Sequence, residues 1–248
     1  MISEIDKYYL DMTLKLAEKG EFTVYPNPKV GAVIVKNNKI VGSGYHKSPG
    51  SPHAEAIAIK QAGLKAKKST LYVNLEPCTH FGKTPPCVDL IIKNQIKRVV
   101  IGNYDPNPLV NKKSITKLRR AGISVSTGIL KQRATLLNKE FYHMHQEKMP
   151  HITVKVGMSL DGKIALGNGY SKWITSIESR LDVQRERAKS SVILSTSKTI
   201  INDNPLLNVR ETDYLKILSK QPDLAIIDNQ LSLNKNFKIF NVPNRKIL

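Results

Sequence analysis

From residue 30 to residue 126 short apolar runs and helical patterns alternate, and this alternation constrains the fold more than any other feature of the chain. Residues 30–35 form an apolar run, 36–39 a polar turn and 40–45 a returning run, the pattern of a hairpin. A helical pattern follows over 53–63 and stops at Gly63. Residues 70–75 read as a third strand, 86–95 as a helix, 98–102 as a strand, 112–121 as a helix and 123–126 as a fifth strand. An amphipathic helix over 1–20, with Tyr9, Met12 and Leu16 on one face, precedes them. Strands and helices joined by short connections predict a layered α/β fold. The pattern restarts near Met149-Pro150, after a polar helix end over 138–148, with a strand predicted over 151–156. Two domains are therefore expected, 1–146 and 147–248.

Composition narrows the classes. No run approaches the roughly 18 apolar residues of a membrane span. The first residues mix both charges without an apolar segment, which argues against a secretory signal. Two cysteines in 248 residues make no disulfide scaffold. A cytoplasmic protein without membrane contact is expected. The net charge of +19 comes from 30 Lys and 9 Arg against 20 acidic residues. Residues 1–146 hold 23 basic and 10 acidic residues, so the excess leans to the first domain. That charge reads either as a lysine-rich solvated surface or as a face for nucleic acid.

The residues that carry chemistry are His53-Ala54-Glu55 and, downstream, Glu76-Pro77-Cys78 with Cys87. A catalytic zinc takes three protein ligands and leaves a fourth position open. His53 at a helix start offers one nitrogen, and Cys78 and Cys87, each placed at or near a helix start, offer thiolates stabilised by metal and helix dipole. Glu55, two residues from His53, is free to act as a proton shuttle rather than a ligand. This is the zinc-deaminase arrangement, in which an activated water attacks an amidine carbon of a base. A closed structural zinc site is the alternative. It would need a fourth ligand, for which His80 is the nearby candidate.

The longer motifs make the resemblance specific. Tyr25-Pro26-Asn27-Pro28-Lys29-Val30-Gly31, His53-Ala54-Glu55, the segment from Leu75 through Cys78-Thr79-His80-Phe81-Gly82-Lys83-Thr84-Pro85-Pro86 to Cys87, and Asp105-Pro106-Asn107-Pro108 resemble the bifunctional riboflavin biosynthesis deaminase/reductases. The eight-residue spacer between the cysteines is the most specific element. In the second domain Lys155-Val156-Gly157-Met158-Ser159-Leu160-Asp161-Gly162-Lys163, Ser171-Lys172-Trp173-Ile174-Thr175-Ser176 and the run from Asp203 to Arg210 resemble that family's reductase half. The likeness spans most of residues 5–230.

The resemblance implies a cytidine-deaminase-like three-layer α/β/α domain followed by a dihydrofolate-reductase-like α/β domain. The first would remove the 2-amino group of a diaminopyrimidinone ribosylamino 5′-phosphate. His53, Cys78 and Cys87 match its zinc ligands, Glu55 its catalytic proton carrier and Asn27 a substrate contact. The second would reduce the ribosyl group to ribityl with NADPH. Gly157, Trp173, Thr199, Asp203 and Asn229 match cofactor contacts. Ser171, Arg187, Leu207 and Arg210 match substrate contacts, the two arginines being fixed cations suited to a phosphate. Trp173, the sole tryptophan, reads from residue type alone as core or as cofactor platform. The family also implies a homo-oligomer, a small phosphorylated pyrimidine as partner, and no nucleic acid.

The chain departs from the family in three places. The family's reductase half continues into a glycine-rich loop beside the NADPH phosphates, whereas Gly169 is the last glycine here, so a shortened reductase domain is expected. After Asp105-Pro106-Asn107-Pro108 the family has a glycine-containing loop, and this chain reads Leu109-Val110-Asn111-Lys112-Lys113-Ser114. Asn229 stands where the family often has Ser. A nucleic-acid deaminase and a non-catalytic zinc module remain as alternatives. The first is disfavoured by the long spacer and the reductase motifs, the second by the intact Glu55.

Overall fold

The computed structural model describes residues 3–82 and 84–248. Met1 and Ile2, the start of the expected first helix, and Lys83 of the cysteine spacer lie outside the described residues. The chain divides into two compact units, residues 1–151 and 152–248.

Unit one opens with α1 (Glu4–Glu18), which Ser3 starts. The Ser3 hydroxyl accepts from the Asp6 amide, and the Asp6 carboxylate accepts from the Ser3 amide. The hairpin β1 (Gly31–Lys36) and β2 (Lys39–Tyr45) turns through Asn37 and Asn38, with φ of 49° and 57°, the twist that a two-residue hairpin requires. Then follow α2 (Ala54–Ala62), β3 (Thr70–Leu75), α3 (Cys87–Lys93), β4 (Arg98–Asn103), α4 (Lys113–Arg120), β5 (Ser124–Thr127), α5 (Lys131–Leu137) and α6 (Lys139–Glu147). The expected elements of unit one are all present as elements, within a few residues at their ends. The helix α5 was not foreseen.

The sheet order is β2-β1-β3-β4-β5. β1 runs antiparallel to β2 and β3, while β3, β4 and β5 are parallel. Strand alternation divides the core in two. Ala32, Ile34, Leu71, Val73, Val99 and Ile101 face α2, α3 and α4 through Ala54, Ala58, Val88, Ile91 and Leu118. Val33, Val35, Tyr72 and Val100 face the other way, onto Tyr9 and Leu10 of α1. Because both faces are covered, the strands read as nearly continuous apolar runs. The close seat of α2 on β2 depends on two glycines. A Cβ at Gly42 would lie 2.2 Å from the Ala58 carbonyl oxygen, and one at Gly44 would lie 2.8 Å from that of Ala54. That seat fixes the end of α2 that carries His53 and Glu55.

In unit two, α7 (Ile177–Lys189), β6 (Val192–Thr196), α8 (Ser197–Asp203), α9 (Thr212–Leu215) and β7 (Asp223–Ile227) surround a small core of Ile200, Leu224 and Ile239. β6 and β7 are parallel. The strand expected over 151–156 does not form: these residues have no regular structure, and Ile152 and Val154 are 72% and 81% exposed. A strand exists through its ladder bonds, and no described segment pairs with this one. Its apolar pattern alone was not enough to make it a strand.

Candidate functional site

Since β1 opposes both β2 and β3, the strands β2, β3 and β4 point the same way and their C-terminal ends share one edge. Ligand sites of open α/β sheets lie outside that edge. Among the loops that leave it, the one from β2 to His53, the one from β3 through Cys78 to Cys87, and the one after β4 that carries Asp105 bring the candidate residues together.

His53 sits at the N-cap position of α2 and Cys87 is the first residue of α3. Cys78 lies three residues past β3 in irregular backbone. His53 Nδ1 is 3.5 Å from Cys78 Sγ and 3.3 Å from Cys87 Sγ, and the three donor atoms lie within 4.8 Å of one another. The backbone amide of Cys87 donates to Cys78 Sγ at 3.3 Å. His80 is exposed and lies outside this cluster, so the closed four-ligand site finds no fourth ligand there. His53 Nε2, the nitrogen turned from the cysteines, meets Thr84 Oγ1 at 3.2 Å. A metal-bound imidazole needs its other nitrogen held in this way. The cysteine spacer thus places a hydroxyl against that nitrogen.

The thiols hold their protons unequally. Hydrogen bonding from Cys87 and His53 holds Cys78 well below the ordinary thiol range against the opposing effect of burial. Its contact with Cys78, burial and the Glu55 charge push Cys87 well above the ordinary thiol range. His53 is raised by its bond to Cys78, with burial opposing and Glu55 adding to it. One imidazole nitrogen and two cysteine sulfurs converging at this distance form a donor set suited to a tetrahedral ion such as zinc. Glu55 is 3% exposed, and burial raises its carboxyl above the usual range although His53 pulls it down. It lies at the same cluster, in contact with Cys87.

Asn27 is brought to this edge by backbone pinning. The Lys29 carbonyl accepts from Asn74 and Asn138, and the Lys29 and Gly31 amides donate to those same side chains. Asn27 Nδ2 meets His46 Nε2 at 2.9 Å, and His46 Nδ1 faces the Pro52 carbonyl at 3.3 Å. His46 is 3% exposed and its ring centroid lies 5.2 Å from that of His53. Burial holds His46 below the usual imidazole range, with the Pro52 bond opposing. A neutral ring donating to Pro52 can accept from Asn27, which orients that amide. Sequence reading passed over both His46 and Thr84. Their only sequence signal is the polar residue itself inside a glycine- and proline-rich loop.

In unit two, Arg187 donates to the Asn208 carbonyl at 3.1 Å and Arg210 to the Asn208 side chain at 3.2 Å. Burial and then the charge of Arg210 depress the Arg187 guanidinium. Leu207 lies in the same loop with φ of 47°, and its carbonyl accepts from Arg245 at 2.9 Å. Thr199 stands in the first turn of α8 after β6, and Asn229 follows β7, so both lie beyond the C-terminal ends of parallel strands. Asp203 is the last residue of α8 and is exposed. Gly157, Ser171 and Trp173 lie in the irregular stretch before α7. Trp173 is 72% exposed, with the Arg180 guanidinium 4.3 Å from its ring, so it is not a core residue.

A parallel-edge site with one imidazole, two cysteines and a buried glutamate defines unit one as a zinc-binding domain of the cytidine-deaminase class. Residues 3–103 match the family described as the cytidine and deoxycytidylate deaminase zinc-binding region, and residues 150–248 match the RibD C-terminal domain. The chain belongs to the RibD family of riboflavin biosynthesis proteins. It is 48% identical to the riboflavin biosynthesis protein RibD of Aquifex aeolicus over 97% of this chain and 67% of that protein. Against the Escherichia coli protein it is 45% identical over 96% of this chain and 67% of the relative. The solved structure of Acinetobacter baumannii RibD matches with a TM-score of 0.93 at 40% identity, covering 98% of this chain and 69% of that one. A diaminohydroxyphosphoribosylaminopyrimidine deaminase/5-amino-6-(5-phosphoribosylamino)uracil reductase from Thermotoga maritima matches with a TM-score of 0.89 at 39% identity, over 98% and 68% of the two chains. The chain thus spans about two thirds of the length of these relatives. Among the described residues no helix is long and apolar enough to cross a membrane.

Proposed function

We propose that unit one is the deaminase of riboflavin biosynthesis, acting on 2,5-diamino-6-ribosylamino-4(3H)-pyrimidinone 5′-phosphate. The observation that carries this reading is the convergence of His53, Cys78 and Cys87 donor atoms within 4.8 Å beside the buried Glu55. The activity printed for the Thermotoga maritima relative supports the substrate class. His53 through Nδ1, Cys78 and Cys87 would hold the zinc. When bound, zinc supplies the Lewis acidity that makes water a nucleophile at neutral pH. Glu55 takes the proton of the attacking water on a carboxylate oxygen and returns it to the departing amino nitrogen. A C–O bond forms, the C–N bond breaks, and ammonia leaves. Asn27, aligned by His46, holds the pyrimidine.

Unit two, in the same reading, reduces the ribosyl group to ribityl with NADPH. Gly157, Trp173, Thr199, Asp203 and Asn229 would contact the cofactor. Ser171, Arg187, Leu207 and Arg210 would contact the substrate. Two guanidiniums held on one asparagine suit a phosphate. We place the boundary of the two activities between residues 146 and 147. The protein would work as a cytoplasmic homo-oligomer on a small phosphorylated pyrimidine, without nucleic acid.

The deciding assay follows ammonia release and NADPH consumption separately on the same zinc-loaded protein. Deamination without zinc dependence, or no deamination at all, overturns the first assignment. The outcome for NADPH decides the second independently. Thr84→Val tests the positioning hydroxyl. It keeps the shape but frees His53 Nε2, and zinc affinity in a chelator competition should fall about 10–100-fold. Unchanged affinity would remove Thr84 from the site.

A further inference from the structure

Glu76 is a buried carboxylate that the proposed deamination leaves unused. It is 3% exposed and stands two residues before Cys78. Its Oε2 accepts from the amides of Asp105 at 3.3 Å and Lys112 at 3.0 Å, and its Oε1 accepts from the Ser114 hydroxyl at 2.6 Å. Its own amide donates to the Asn103 carbonyl at 3.0 Å. Among the described residues no ion pair reaches it. A buried carboxylate is costly without such donors, and all three donors come from the segment after β4.

That segment has its own difficulty. Residues 103–121 contain no glycine, yet Lys112 adopts φ of 60°, a left-handed conformation that favours glycine. Its amide is one of the two that Glu76 holds. The far part of the loop is tied to the cysteine segment as well: Thr79 donates to the Leu109 carbonyl at 3.2 Å, and Val110 is buried. The loop therefore lies along the same sheet edge as Cys78, beside the donor cluster.

We propose that Glu76, with Ser114, is a positioning residue that holds the 104–112 loop against the cysteine segment, so that this glycine-free loop forms a fixed wall of the metal cleft and sets how the pyrimidine is bound. The inference rests on the deaminase reading of unit one. Glu76 is not one of the clustered donors, and its hydrogen bonds run to the 103–114 segment, so it acts through the loop.

The test uses the full chain loaded with zinc and compares Glu76→Ala with Glu76→Gln. Gln can still accept both backbone amides on its oxygen, while its NH2 donates to the Ser114 hydroxyl. Hydrogen exchange at the Asp105 and Lys112 amides should speed up about tenfold or more in Glu76→Ala and stay near the parent rate in Glu76→Gln. KM for the diaminopyrimidine nucleotide should rise about tenfold in the alanine variant, with a smaller loss in kcat, and recover in the glutamine variant. Zinc content should not change. Retained protection of the two amides overturns the proposal. So does a loosened loop with unchanged KM, which would make Glu76 purely structural, and so does loss of zinc, which would place its effect on Cys78. If Glu76→Ala does not fold, Ser114→Ala should shift exchange and KM in the same direction by less, and no shift there overturns it. A parent chain that releases no ammonia sinks the deaminase reading, and the exchange arm then decides alone whether Glu76 holds the loop.

Discussion

Glu55→Gln should lower ammonia release by about 10²–10⁴-fold while the protein keeps its fold and its zinc. Gln matches Glu in shape, so packing in the first turn of α2 is preserved. The ligand atoms belong to His53, Cys78 and Cys87, so metal content should not change. What Gln cannot do is carry a proton. Hydrolytic deamination needs a proton taken from water and passed on to the departing amino nitrogen, and Glu55 is a carboxyl group buried at the donor cluster. Three measurements are needed together: ammonia release, zinc per chain and thermal stability. Turnover equal to the parent would remove Glu55 from the mechanism. A parent protein that binds zinc and never releases ammonia would instead favour a non-catalytic zinc module.

The sequence made unit one legible because each level agreed. The apolar runs of β1, β3 and β4 are buried on both faces, so their pattern was strong, and His53, Glu55, Cys78 and Cys87 lie beside those strands. Thr84 and His46 were not legible. Each acts through one hydrogen bond to a side chain distant in sequence, and no periodicity marks such a residue. Glu76 was read as part of a motif, but its partners 29–38 residues away were hidden until the β4 loop was placed. Unit two failed at residues 151–156 for a different reason. An alternating apolar segment specifies a strand only when another strand is there to receive its hydrogen bonds. The lone tryptophan was ambiguous for a related reason: residue type favours a core, yet Trp173 stacks with Arg180 at an exposed site.

Asp6→Ala should be the most destabilising single change in unit one outside the apolar core. Asp6 lies in the first turn of α1, and its two oxygens accept from both Arg98 guanidinium nitrogens at 2.9 Å. Tyr72 donates to it at 3.1 Å and the Ser3 amide at 3.2 Å. Arg98 continues to Ser126 on β5. One carboxylate thus joins α1 to β3, β4 and, through Arg98, β5. Removing it leaves a guanidinium whose side chain is 29% exposed without its partner. Breaking a buried pair costs about 3–5 kcal/mol; partial exposure of Arg98 reduces the expectation to about 2–4 kcal/mol. For a unit of this size that lowers Tm by roughly 5–15 °C. A double-mutant cycle with Arg98→Ala should give a coupling of about 1 kcal/mol or more, and strict additivity would refute the pair. The pH dependence has a definite sign. Burial alone would raise the Asp6 carboxyl, but the bonds from Arg98, Ser3 and Tyr72 outweigh it and hold the group below its ordinary value of 3.8. The unfolded chain therefore binds this proton first as pH falls. The stabilisation is complete above the unfolded value and is lost as pH drops through the lower folded one. The stability gap between the parent and Asp6→Asn should accordingly be constant near neutral pH and shrink below about pH 4. A gap that widens on acidification would mean that Asp6 is not held as a carboxylate by Arg98.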